Sequence, residues 1–155
     1  MNISIVSSKD ADLIAVLNET VQRLHQERYP AYFKAYDYEV VRKSFKEMLE
    51  KDNWFAYVAY DADQPIGYIV FYIRNYGENP FRYSYKGISV DQLSVIKEYQ
   101  NRGIGSQLMK KAEAMGREIG ASQIELTFWD KNTEAKKFYN KKGFEEGIHF
   151  VVKRF

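Results

Sequence analysis

Between residues 82 and 120 the apolar pattern changes its period once, from two to about 3.6, and the change falls on Gln100-Asn101-Arg102-Gly103-Ile104-Gly105. Before that stretch, Arg82 to Ile96 alternates as a long strand, with Asp91, Leu93 and Val95 expected on one side and Val90, Gln92 and Ser94 on the other. After it, Leu108, Met109, Ala112, Met115 and Ile119 recur at helical spacing and Gly120 offers a stop. Gln123 to Trp129 then reads as a further strand. A strand that feeds a helix through a glycine turn and returns to a strand is a crossover unit. The chain is therefore expected to build a mixed α/β sheet.

The other segments complete that sheet. Ile3 to Val6 alternates like a short strand, and Ser7 or Ser8 offers a cap to a helix carrying Leu13, Ile14, Leu17, Val21 and Leu24, which ends before Pro30. Past an aromatic stretch from Tyr29 to Tyr38, a second amphipathic helix places Val40, Val41, Phe45, Met48 and Leu49 on one side. Asn53 to Tyr60 and Ile66 to Tyr76 read as a hairpin joined at Asp61 to Pro65. Asn132 to Lys142 predicts a short helix closed by Gly143, and Phe144 to Phe155 a final strand broken near Gly147. The expected order is β-α-α-β-β-β-α-β-α-β, without repeat or linker, and 155 residues suit one domain spanning 1–155.

Composition removes several chemistries. With no cysteine there is no disulfide, thiolate metal site or cysteine nucleophile, and a reducing cytoplasm fits. The two histidines, His25 and His149, stand far apart with no metal-ligand spacing, so no metal is expected. No apolar run approaches a membrane span and the first residues are not a basic leader, so no membrane partner is expected. The net charge of +2 is too small to suggest nucleic acid. Its distribution is uneven: Lys97 to Lys142 holds ten basic and six acidic side chains. That bias suits either a polyphosphate ligand or a solvated helix face.

The glycine turn supplies the chemistry. Glycines between a strand and a helix let the backbone turn tightly, and the first helical turn presents unpaired N–H groups with a partial positive charge, an arrangement that holds anions; Arg102 can add a guanidinium fork. No G-K-[ST] is present, which excludes a P-loop, and Leu108 occupies the third glycine position of a dinucleotide fingerprint, although Glu125 stands where a ribose-binding acid would.

Leu93-Ser94-Val95, then Gln100-x-x-Gly103-x-Gly105, then Glu125-Leu126, Asn132, Ala135, Phe138-Tyr139 and Gly143-Phe144 together resemble the GNAT superfamily of acetyl-CoA-dependent N-acetyltransferases, over roughly residues 53–150. The resemblance implies a central, mostly antiparallel sheet splayed at the cofactor-binding strands and flanked by helices. It implies that the backbone of Arg102, Gly103, Ile104, Gly105 and Ser106, following Gln100 and Asn101, holds the CoA pyrophosphate. Leu93, Ser94 and Val95 would pair with the pantetheine arm, an amide there polarising the thioester carbonyl. Asn132 would bond the pantetheine, cap a helix, or both. Phe138 is expected near the cofactor or in the core. Tyr139 would protonate the leaving thiolate, a phenol of pKa about 10 being a proton donor at neutral pH. Asp91 would serve as the base, or attract a cationic acceptor.

The expected reaction is direct attack of a primary amine on acetyl-CoA in a ternary complex, without a covalent acetyl-enzyme. The acceptor is a small molecule or a peptide, and the aromatic cluster Tyr29, Tyr32, Phe33, Tyr36 and Tyr38, with Asp37 and Glu39, is a candidate cation-binding wall. A homodimer is compatible with the pattern. The other reading of the motifs is an acetyl-CoA-binding regulator of the same fold without turnover.

Overall fold

The structure is a computed structural model describing residues 1–155. Strands β1 (Ile3–Ser7), β2 (Trp54–Asp61), β3 (Gln64–Tyr76), β4 (Tyr85–Val95) and β5 (Gln123–Leu126) form one sheet in the order β1-β2-β3-β4-β5. Helices α1 (Ala11–Arg28) and α2 (Tyr38–Leu49) lie between β1 and β2, α3 (Ile104–Glu118) between β4 and β5, and α4 (Thr133–Lys141) follows β5. The first four strands pair antiparallel, while β4 and β5 are parallel because α3 carries the chain back across the sheet.

Each face of the sheet is covered by one helix pair. Ile69, Phe71, Ile88 and Val90 pack with Ile104, Leu108, Met109 and Ala112 of α3 and Tyr139 of α4. On the opposite face Ala56, Val58, Tyr68 and Val70 meet Ile14, Ala15 and Leu17 of α1 and Phe45 and Leu49 of α2. Central β3 is covered on both sides, which is why Ile66 to Phe71 is buried without interruption instead of alternating.

Some expectations are corrected. The cap of α1 is Asp10, whose Oδ1 accepts from the Leu13 N–H at 3.0 Å, while Ser8 Oγ accepts from the Asp10 N–H. Val40 is exposed, since the buried side of α2 is set by Phe45 and Leu49. β4 begins at Tyr85, and β5 stops at Leu126, three residues before the predicted Trp129, because β4 and β5 part there. Residues 145–155 form no strand: nothing pairs with them, and a strand without a ladder partner has no hydrogen bonds to hold it.

Two irregularities shape β4. Val70 pairs with Gln92 and Phe71 with Val90, so Asp91 is an extra residue, a β-bulge. Strict alternation therefore fails: Val90 joins Leu93 and Val95 on the α3/α4 face, whereas Gln92 turns to α1. Beyond the last β4–β5 pair, Val90↔Leu126, β4 runs on to Val95 paired with β3 alone, so its outer edge is open. The line of that free segment depends on Gly67, where an added Cβ would lie 2.7 Å from the Ser94 carbonyl oxygen and 3.2 Å from Val95 Cα. Gly67→Ala must displace backbone, and is expected to destabilise the protein by about 1–3 kcal/mol, read from urea unfolding.

Candidate active site

The open edge of β4 leads into the glycine turn. Gln100 Nε2 donates to the Val95 carbonyl at 2.9 Å, tying the turn to the strand. Asn101 (φ 60°) and Gly103 (φ 82°) both adopt left-handed backbone, and Gly103 caps α3 without a side-chain acceptor. The first N–H in this region to bond back to the turn is that of Gln107, to Gly103 O. The backbone N–H groups of Arg102, Gly103, Ile104, Gly105 and Ser106 make no hydrogen bond within the protein. Five free donors at the start of a fifteen-residue helix form an anion cradle of the kind a pyrophosphate requires.

The side chains of the turn have other tasks. Ile104 is buried in the core, and the Arg102 guanidinium lies 5.3 Å from the Tyr99 ring centre while donating to Met1 Sδ. Gly105 faces Phe138: a Cβ there would touch the ring at 3.5 Å, so the Phe138 ring walls the cradle on the α4 side.

Tyr139 is buried, with its ring among Phe128, Phe138 and Phe144 at centroid distances of 5.8, 5.2 and 5.5 Å. Its hydroxyl has no hydrogen-bond partner in the protein, and no fully buried polar side-chain atom is left unpartnered, so the oxygen reaches accessible space. Burial pushes the phenol up to about 12. The group therefore stays protonated at neutral pH and keeps a proton to donate.

Asp91 is exposed, standing out of β4 at the bulge. The surrounding protein nonetheless raises its carboxyl above the usual range by desolvation, partly offset by a hydrogen bond from Gln92. Gln92 is held by a polar cluster that local sequence patterns do not reveal. Its Oε1 accepts from Tyr68 Oη and from Asn18 Nδ2, both at 2.7 Å. Leu93 and Val95 are half-buried on the α3/α4 face, and Ser94 is buried opposite Tyr68.

Asn132 caps α4, its Oδ1 accepting from the Ala135 N–H at 3.2 Å and from Arg28 Nη1 at 3.5 Å. The end of α1 is thereby held against the β5–α4 loop. The expected aromatic wall is regrouped: Tyr29, Tyr32 and Phe33 gather on Trp129, at centroid distances of 4.6, 5.2 and 5.1 Å. Tyr36 instead donates to the Ala15 carbonyl, Tyr38 packs in the α1/α2 core, Asp37 caps α2 and Glu39 pairs with Arg42. The carboxylate beside the wall is Asp130. Tyr29 Oη donates to it at 2.6 Å and holds it below the usual carboxylate range. Trp129 and Asp130 were not marked by any motif; they join the wall because β5 ends early and turns them toward α1.

No group of three or more His, Cys, Asp or Glu is placed to hold a metal ion, and no helix is long and apolar enough to cross a membrane. A family model described as the acetyltransferase (GNAT) family matches residues 18–144. The chain belongs to the GNAT acetyltransferase family. Among curated relatives, a probable N-acetyltransferase of Mycobacterium tuberculosis is 28% identical over 116 residues, 73% of this chain and 60% of that protein. An uncharacterized N-acetyltransferase of Lactobacillus delbrueckii subsp. lactis is 39% identical over 57 residues, 37% of this chain and 33% of that one. The chain thus spans between a third and three fifths of the length of these two relatives. The GNAT fold is seen again in a mutant of the BH1408 protein from Bacillus halodurans, with TM-score 0.91 and 20% identity, covering 100% of this chain and 99% of that one. An aminoglycoside N-acetyltransferase solved in complex with CoA gives TM-score 0.72 at 19% identity, covering 99% and 94%.

Proposed function

We propose that the protein transfers the acetyl group of acetyl-CoA to a primary amine by direct attack within a ternary complex. The observation that carries this reading is the cradle of five unbonded amides opening onto the free edge of β4. The amides of Arg102 to Ser106 hold the pyrophosphate, and the edge from Leu93 to Val95 offers backbone groups to the amide-bearing pantetheine arm. One of those N–H groups polarises the thioester carbonyl. The amide side chain of Asn132, already capping α4, faces the same arm.

Asp91 removes the proton from the acceptor ammonium, and the free amine attacks the thioester carbon. As the tetrahedral intermediate collapses, the C–S bond breaks and Tyr139 gives its proton to the thiolate. The acceptor is a cationic amine, small or peptidic. The Tyr29, Tyr32, Phe33 and Trp129 rings supply π faces and Asp130 a fixed negative charge. The aminoglycoside ligand named for a structural neighbour, a CoA–acetylneamine bisubstrate analogue, supports a small polyamine of this type.

Acetyl-CoA at a hundredfold excess over its Kd is expected to raise the melting temperature by about 5–10 °C, with no effect of acetate or NAD. Gly105→Trp should abolish that shift in a protein that keeps its far-UV circular dichroism, because the indole must enter the cradle beside Phe138. Unchanged binding by a folded variant places the cofactor elsewhere. Binding without thiol release over a panel of polyamines, aminoglycosides, amino acids and peptides returns the protein to the regulatory reading.

A further inference from the structure

Asn18 is only 4% exposed, a polar side chain in the middle of α1 pressed against the sheet. Its Nδ2 donates to Tyr68 Oη at 2.9 Å and to Gln92 Oε1 at 2.7 Å, and Tyr68 Oη donates to the same Gln92 oxygen at 2.7 Å. The three groups close a triangle between α1, β3 and β4. Burial pushes the Tyr68 phenol above its ordinary value, so it remains a donor to the Gln92 oxygen and the polarity of the triangle is fixed. A cluster that only joined α1 to the sheet would need no spare valence, yet two ends are left over. Asn18 Oδ1 accepts no hydrogen bond within the protein, and since no fully buried polar side-chain atom lacks a partner, this oxygen reaches accessible space. Gln92 Nε2 bonds nothing besides the Asp91 carboxyl, and an amide nitrogen carries two hydrogens, so one N–H is spare. The Asp91 charge is felt at the buried Tyr68 hydroxyl, which sets the carboxylate in the same neighbourhood.

An acceptor and a donor on two locked amides exclude most partners. A second ammonium has hydrogens for Asn18 Oδ1 but no lone pair for the Gln92 N–H, and a carboxylate brings lone pairs against both Asn18 Oδ1 and the Asp91 charge. A methyl group satisfies neither amide and leaves both dehydrated, which is where such sites discriminate most. A hydroxyl accepts and donates at one atom. The Gln92 amide that would hold it also touches the Asp91 carboxyl, so hydroxyl and reacting amine belong on neighbouring carbons. We propose that Asn18 and Gln92 form a neutral subsite beside Asp91 that selects an acceptor amine bearing a hydroxyl on the adjacent carbon. This selection rests on Asp91 meeting the acceptor amine, as the acetyl-transfer reading has it, and narrows that acceptor to an amino alcohol.

The isosteric amines 1-amino-2-propanol, isobutylamine and 1,2-diaminopropane carry a hydroxyl, a methyl and a second amine at the same carbon. With kcat/KM corrected for the ionisation of each amine, the amino alcohol should lead isobutylamine by about ten- to hundredfold and lead the diamine as well. Asn18→Leu, which removes Oδ1 but leaves the Tyr68–Gln92 bond, should shrink the lead to within about threefold in a protein that still binds acetyl-CoA. The wild-type comparison needs no variant, so it stands even where Asn18→Leu fails to fold. Calorimetric titration of the same amines into the protein with CoA bound should give the same ranking without turnover. Turnover of all three at equal efficiency, or a lead that survives Asn18→Leu intact, overturns the subsite and leaves acetyl transfer standing. No turnover of any amine, with 1-amino-2-propanol bound about tenfold more tightly than isobutylamine, removes the transfer and keeps the subsite; equal affinities remove both.

Discussion

Tyr139→Phe lowers kcat by about 10²- to 10⁴-fold, the contribution of a positioned general acid, and leaves the acetyl-CoA Kd nearly unchanged. The variant loses one oxygen that makes no hydrogen bond within the protein, so the Phe128, Phe138 and Phe144 packing survives and stability holds. Because burial holds the phenol at about 12, wild-type activity should show no falling limb from this group at neutral or mildly alkaline pH. Steady-state kinetics beside calorimetric cofactor binding checks both halves. Full kcat in the variant, with chemistry rate-limiting, would return Tyr139 to a packing role.

Asp91→Asn should cut kcat/KM by about 10²- to 10⁴-fold at neutral pH and recover in part as pH rises and the acceptor amine loses its own proton. In the wild type the base works when ionised, and desolvation lifts its pKa, so activity should begin to fall at a higher pH than for an ordinary aspartate. Stability moves in the opposite sense. A carboxyl whose folded pKa exceeds its unfolded value binds more protons when folded, so the wild type loses stability as pH rises from the unfolded to the folded pKa. The asparagine variant is spared that loss and should melt slightly higher at pH 7, the difference vanishing below the unfolded pKa. A rise in KM for the amine alone, with the pH profile intact, assigns Asp91 to acceptor binding.

Much of this was legible in the chain. The period change at Gln100 to Gly105 placed β4, the turn and α3, because strand and helix periodicities depend on neighbours only a few residues apart. The same stretch pointed to the amide cradle, since the unpaired N–H groups are a local consequence of starting a helix at Gly103. What escaped depends on residues distant in sequence. The bulge at Asp91 is defined by the register of β3, and the Asn18–Tyr68–Gln92 cluster joins three separate elements. Trp129 met Tyr29 because β5 ended early, and Phe144 to Phe155 has every local mark of a strand but no partner within the chain.

The bulge gives Asp91 an unusual genetic status. With that residue removed, Val90, Gln92, Leu93, Ser94 and Val95 would alternate without interruption, each meeting the β3 neighbour it already has. A single-codon deletion would therefore leave an uninterrupted ladder and a folded protein that lacks the carboxylate. Substitution and deletion thus ask different questions of one position, and the sheet can acquire or shed its acid by the gain or loss of one codon while the rest of the hydrophobic core stays in register.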